Sequence, residues 1–149
     1  MRAVVQRVTK SSVTVDEQIT GQIGKGLMVL IGVEDGDTEK DAEYIAKKVT
    51  ALRIFDDAEG VMNLSVQDIG GEILAVSQFT LLGDVRKGNR PSYFTAARPE
   101  EADRLYRKVI DLIKEKGIHV EVGIFQAEML VQIDNDGPVT ILLESHKLF

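Results

Sequence analysis

The stretch from Leu27 to Val33, "LMVLIGV", holds no charged or hydrogen-bonding side chain. It is bounded by Gly24-Lys25-Gly26 on one side and "EDGD" on the other. A half-exposed strand alternates apolar and polar residues; an unbroken apolar run between turn signals reads as a strand buried on both faces. Such a strand needs other structure packed against each side, which sets the terms for the rest of the chain. With 149 residues, residues 1–149 are expected to form a single domain around one ordinary core.

Two helices supply covering layers. Thr38 stands where a helix begins, with Asp41 at capping-box spacing in place of the usual Glu. Ala42, Ile45, Ala46, Val49 and Leu52 then recur at helical spacing. Pro99 suits the first turn of a second helix and Glu100 and Glu101 suit its dipole, while Gly117 suits its end. Ala102, Leu105, Tyr106, Val109, Leu112 and Ile113 form its apolar stripe. Strands are expected around Val4–Val15, Ile19–Ile23, Arg53–Phe55, Glu72–Leu81 and Val120–Ile124. A closing hairpin, Met129–Ile133 and Ile141–Leu143, is expected to turn at Asn135–Gly137. The order β-β-β-α-β-β-α-β-β-β predicts an α+β fold, a mixed or antiparallel barrel-like sheet covered by two main helices.

The available chemistry is narrow. No cysteine is present, which removes disulfides, thiol nucleophiles and thiolate metal sites. His119 and His146 are the only histidines. Neither lies in a nucleophile or metal motif, so both read as surface or strand-end residues. "GQIGKG" lacks Walker spacing. The net charge of −6 argues against wholesale wrapping by nucleic acid and leaves room for a local basic strip. No apolar run approaches the roughly 20 residues that span a bilayer, and "MRAVVQRVTK" has no signal-peptide core. No membrane association and a cytoplasmic location are therefore expected.

Three segments stand out. "SQFTL", Ser77–Leu81, ends a buried strand with hydroxyl, amide and aromatic groups; it is either a polar strand terminus or a site. "RKGNRPSYF" pairs Arg86, Lys87 and Arg90 with Tyr93 and Phe94. It is either a solvated loop or a surface for a phosphate and a stacked base. "NDGPVT" spends one of only three prolines directly after a serviceable turn, although proline cannot donate to a sheet ladder.

Together with "QRVTKSSVTVD", "LRIFDDAEGVMNLSVQD" and "RKGNRPSYFTAARPEEA", these segments resemble the D-aminoacyl-tRNA deacylases of bacterial and eukaryotic type, in the family's order and across essentially the whole chain. Tyr93 stands where Phe is common. The resemblance implies a homodimeric hydrolase that needs no cofactor and no metal. Its substrates would be D-aminoacyl-tRNA and mischarged glycyl-tRNA, cut at the ester to the terminal ribose. It implies catalytic roles for Ser77, Gln78, Phe79 and Thr80, and a cis Gly137-Pro138 bond reaching into the partner's pocket. Gln6 and Arg7 would brace that motif, and Ala102, Phe125 and Met129 would shape the pocket. Arg86, Lys87 and Arg90 would hold tRNA. The competing readings are a dimeric RNA-binding module without catalysis and a hydrolase of another small acyl ester.

Overall fold

The Leu27–Val33 run forms the centre of the sheet. In the computed structural model, which describes residues 1–149, β3 (Gly26–Gly32) lies between β1 (Arg2–Val15), antiparallel to it, and β6 (Glu72–Ser77), parallel to it. Leu27, Val29 and Ile31 point into a core of 25 buried residues shared with both helices. Met28 points the other way, into a smaller cluster with Val8, Val13, Ile23, Leu74 and Val76. Both faces are covered, and alternation is unnecessary. Each fully buried Leu or Ile contributes about 1.5–3 kcal/mol, so this strand anchors the domain.

The helices are α1 (Glu39–Ala51) and α2 (Pro99–Lys114). Thr38 and Asp41 form the reciprocal capping box at the start of α1, and Pro99 opens α2. The apolar stripes face the core as the spacing predicts, with Ile110 added to that of α2.

The six-stranded sheet runs β2 (Gln18–Ile23), β1, β3, β6, β7 (Val120–Val122), with β8 (Leu130–Glu144) on the free edge of β1. It curls until its ends nearly meet. A Cβ on Gly21 of β2 would sit 2.5 Å from the carbonyl oxygen of Val122 in β7, so glycine permits the near-closure. This is the mixed, barrel-like α+β architecture expected from the element pattern.

Four local expectations differ. The short strand expected at Arg53–Phe55 lies at Phe55–Asp56. Met62–Leu64 forms a short strand, β5, pairing with β4 (Phe55–Asp56); three residues carry too little pattern to register. The strand expected over Glu72–Leu81 stops at Ser77, and Phe79–Leu82 is a 3-10 turn. The closing hairpin is absent. Leu130–Glu144 is one strand, antiparallel to β1 along its length. Gln6 pairs with Thr140 and Val8 with Asn135. Between those pairs β1 supplies only Arg7, while β8 supplies Asp136, Gly137, Pro138 and Val139. The "NDGPVT" segment is therefore a bulge thrust out of a continuous ladder, because β1 offers partners on both sides of it.

Candidate active site

A groove of about 520 Å³ opens where β6 ends. Its wall includes Ser77, Gln78, Phe79 and Thr80, together with Ala102, Phe125 and Met129. Folding thus brings seven of the residues singled out from sequence to one place. They come from distant parts of the chain: the end of β6, the first turn of α2 and the segment after β7.

The strand end is held rigidly. Gln78 N donates to Ile31 O at 2.7 Å, continuing the β3–β6 pairing by one residue. The 3-10 turn begins its own bonding at Leu81 N, which donates to Gln78 O at 3.3 Å. The amides of Phe79 and Thr80 precede that bond, at the end of the turn where donors lack partners within the turn. Gln78 Nε2 donates to Thr80 Oγ1 at 2.9 Å. Arg2 anchors the far side of the turn, donating to Leu81 O at 2.9 Å.

Aromatic groups set the walls. Phe79 meets Tyr93 edge-to-face at 5.0 Å between centroids, so Tyr93 in place of Phe keeps the contact. Tyr106 stacks on Phe125 at 6.3 Å and donates its hydroxyl to Ala75 O at 2.8 Å. Burial pushes the Tyr106 phenol well above its usual range, so it stays a neutral donor. Gln126 lines the groove with φ of +65°, a left-handed conformation uncommon for a side-chain-bearing residue. Gly32 packs directly beneath the turn, and a Cβ there would lie 2.7 Å from Leu82 Cδ2 and 3.0 Å from Gln78 O. Gly32 and Gln126 escape the sequence reading, and Tyr106 is legible there only as part of an apolar stripe, because their places at the groove are set by the folded backbone and by tertiary contacts.

The loop back from the turn is stitched to the end of β3. Asp35 N donates to Thr95 O at 2.8 Å and Ala97 N to Val33 O at 2.9 Å, placing Ala96 and Ala97 in the groove wall. Farther out, Asp84 and Ser92 exchange backbone bonds at 2.8 and 2.9 Å. Arg86, Lys87, Arg90 and Phe94 gather there around a second, polar hollow of about 370 Å³. The three cations are not equivalent. Arg86 is clamped by Asp84, Nε to Oδ1 at 3.0 Å and Nη2 to Oδ2 at 2.7 Å, and this guanidinium holds the Asp84 carboxyl far below its usual range. Lys87 and Arg90 have no ion-pair partner, and Phe94 is 93% exposed.

Gln6, Arg7, Gly137 and Pro138 do not line the groove of their own chain. They form a separate braced projection. The Gly137-Pro138 bond is cis, and Gly137 has φ of +117°. Arg7 reaches under the bulge, donating to Ile54 O at 2.7 Å, with its Nε 3.3 Å from Asp136 Oδ2. Asn135, readable from sequence only as a turn residue, is the central brace. Its Nδ2 donates to Arg7 O and Val139 O, both at 3.0 Å, while Gln6 Nε2 donates to its Oδ1 at 3.3 Å.

Fold and site define a class: barrel-shaped α+β proteins whose groove, at a strand end, presents backbone amides, hydroxyls and aromatic walls without a histidine–nucleophile pair. A family model described as "D-Tyr-tRNA(Tyr) deacylase" matches residues 4–144. The chain is 58% identical over 149 residues to a protein named D-aminoacyl-tRNA deacylase in Desulfitobacterium hafniense (strain DSM 10664 / DCB-2), covering 100% of both. It is 56% identical, with the same coverage, to one of that name in Thermotoga petrophila. Among solved structures, one titled "c-Myc DNA Unwinding Element Binding Protein" superposes with a TM-score of 0.91 at 43% identity, covering 97% of this chain and 98% of that one. Another, "Structural Analysis of a probable eukaryotic D-amino acid tRNA deacylase", shares the fold, with a TM-score of 0.81 at 18% identity, covering 95% and 97%. The chain belongs to the D-Tyr-tRNA(Tyr) deacylase family.

Proposed function

We propose that this single-domain chain is a deacylase that hydrolyses the ester joining a D-amino acid to the terminal ribose of tRNA, and that it clears mischarged glycyl-tRNA by the same route. The observation that carries the reading is the groove itself. It joins Ser77–Thr80 to Ala102, Phe125 and Met129, with room for an aminoacyl-adenosine end. The Gly137-Pro138 projection stands apart from that groove within one chain, which supports a homodimer in which each copy's projection completes its partner's groove.

Selection works by exclusion. Main-chain oxygens of the projection hold the α-amino group, and the ester carbonyl sits at Ser77–Phe79. Two substituents then remain on Cα. A D side chain points to solvent, whereas an L side chain meets the Gly137-Pro138 backbone. Glycine has nothing to collide and passes. Gly137 suits this role because a side chain there would crowd the projection: a Cβ would lie 2.9 Å from Arg7 Nη2.

The chemistry asks little of the protein. Amides near Phe79 receive the developing oxyanion, a task worth about 2.7–4 kcal/mol per donor where measured in a protease. The ribose 2′-hydroxyl helps activate water. Thr80 is hydrogen-bonded to Gln78, not to a base, and this favours a positioning role over that of a nucleophile. Lys87 and Arg90 hold backbone phosphates, Phe94 offers a face to a base, and Arg86 contributes less because Asp84 neutralises it. Such a substrate places the enzyme with translation, in the cytoplasm.

The test compares D-tyrosyl-tRNA, L-tyrosyl-tRNA, glycyl-tRNA and a simple D-tyrosyl ester. Release from the D and glycyl forms alone is expected. Equal release of both enantiomers overturns the chiral filter, and binding without release supports a non-catalytic RNA-binding module. Faster turnover of the simple ester supports a hydrolase of other acyl esters.

A further inference from the structure

His146 lies outside the groove and carries no motif, yet the fold surrounds it with carboxylates. Its Nε2 is 3.5 Å from Asp37 Oδ1 and 3.3 Å from Asp41 Oδ1. Its Nδ1 is 3.1 Å from Glu144 Oε1 and 3.4 Å from Glu34 Oε2. The Met1 ammonium, 2.8 Å from Asp37 Oδ2, is the one other cation in contact. Four carboxylates therefore face one ammonium and one imidazole, and the cluster has a net negative charge whether or not the imidazole is protonated.

Asp37 and Asp41 each have one carboxylate oxygen held by a backbone amide and the other directed towards His146. Asp37 Oδ2 accepts the Glu34 amide at 2.7 Å besides the ammonium. Its Oδ1 is buried, has no hydrogen-bond partner and faces His146; the side chain is 0% exposed. Asp41 spends Oδ2 on the capping box, accepting Thr38 N at 2.8 Å, and turns Oδ1 towards the same point. Glu144 is fixed by the amides of His146 and Leu148 at 3.0 and 2.9 Å. Its Oε1 lies 3.1 Å from His146 Nδ1, on the ring edge away from Nε2. In metal sites a carboxylate beside the second nitrogen of a ligating histidine commonly orients the ring.

We propose that Asp37 Oδ1, Asp41 Oδ1 and His146 Nε2 form a binding site for a divalent transition-metal ion of the zinc or manganese kind. The three atoms lie within 4.8 Å of one another. Ligands about 2.0–2.2 Å from a common ion, at angles between octahedral and tetrahedral, are separated by roughly 2.9–3.6 Å. The two histidine–carboxylate spacings already fall in that range. One imidazole with two carboxylates selects this class over calcium, which takes six to eight oxygens. The remaining positions open past His146, which is 48% exposed. The ion is structural: it ties the segment after Glu144 to the start of α1, next to the Val33–Asp35 stretch that supports Ala96 and Ala97. It takes no part in the hydrolysis.

The test uses the full chain, stripped with chelator and dialysed. Calorimetric titration with zinc and manganese, with magnesium and calcium as comparators, is read beside the melting temperature with and without metal. One transition-metal ion is expected per chain, with a rise in melting temperature. His146→Gln removes a direct ligand, so it should weaken binding by more than the roughly 10–100-fold typical of losing a second-layer partner and abolish the rise. Asp41→Asn, which keeps an acceptor for the cap, should weaken binding too. Deacylation by His146→Gln should match the parent, separating this site from the catalytic reading. No stoichiometric binding, or binding undiminished in His146→Gln, overturns the proposal. So does a His146-dependent response to pH with none to metal, which would mean that the cluster holds only a proton.

Discussion

Replacing Gly32 with alanine tests whether the position of the 79–82 turn controls the reaction. The added methyl would meet Leu82 Cδ2 at 2.7 Å, Gln78 O at 3.0 Å and Leu81 Cβ at 3.0 Å. Carbon contacts settle near 3.5–4.0 Å, so the turn must retreat by roughly 0.5–1 Å. The Leu82 side chain can swing; the Gln78 carbonyl and Leu81 Cβ move only with the backbone that carries Phe79 and Thr80. Overpacking of this kind costs about 1–3 kcal/mol, and each kcal/mol lowers Tm by about 2–4 °C in a domain of this size. Tm should therefore fall by roughly 2–12 °C. A displacement approaching 1 Å at the reacting centre costs up to about 100-fold, so turnover of D-tyrosyl-tRNA, assayed well below Tm, should fall about 10–100-fold. Gly24→Ala is the control, since its Cβ would meet only Glu72 Oε1, at an ordinary 3.6 Å. If Gly32→Ala lowers Tm as expected but keeps its rate within about twofold, placement of the turn does not govern catalysis and the reasoning fails.

Thr80→Val removes the acceptor of the Gln78 bond. Such a bond is worth about 0.5–1.5 kcal/mol, so the rate should fall by no more than about tenfold; complete loss with a trapped acyl-enzyme would make Thr80 the nucleophile. Lys87→Ala and Arg90→Ala should each weaken tRNA binding and flatten its salt dependence by roughly 0.7–0.9 in log–log slope. Arg86→Ala should do less, because Asp84 already occupies it; equal slopes for all three variants would contradict the pairing. At Asp41, burial works against the charge, but the Thr38 amide, Ser145, the amino terminus and His146 carry the carboxyl below its usual range. Its stabilising contribution is thus complete above the unfolded value, about pH 3.9, and is lost as pH falls through the lower folded value. Asp41→Asn should melt less steeply with falling pH in acid than the parent does, and unchanged steepness would show that other carboxylates dominate.

Legibility followed the range of the signal. The doubly buried strand, the capping box at Thr38 and Asp41, and the Pro99 helix start were readable because each is written within a few neighbouring residues. Ser77–Thr80 stood out as a strand end with unusual chemistry, and the family resemblance drew Ala102, Phe125 and Met129 to it. The role of "NDGPVT" was not readable from local pattern. Asn-Asp-Gly between apolar runs satisfies a hairpin turn, and only the pairing of β1 on both sides of it makes it a bulge. The same limit hid Asn135 as a brace, Gly32 as the seat of the turn, and the Asp37–Asp41–His146 convergence, where the histidine lies more than a hundred positions from both carboxylates.

The shared site is tested most directly by mixing two impaired copies. Gly137→Ala disables the projection but leaves the groove; Ala102→Phe fills the groove but leaves the projection. Each variant alone should be nearly inactive on D-tyrosyl-tRNA. After joint refolding, half of the symmetric dimers should be mixed, each holding a single intact site. Activity should then return to roughly a quarter of the parent's. If the mixture stays as inactive as its components while mixed dimers are shown to form, the groove and the projection do not meet across the interface, and the account is wrong.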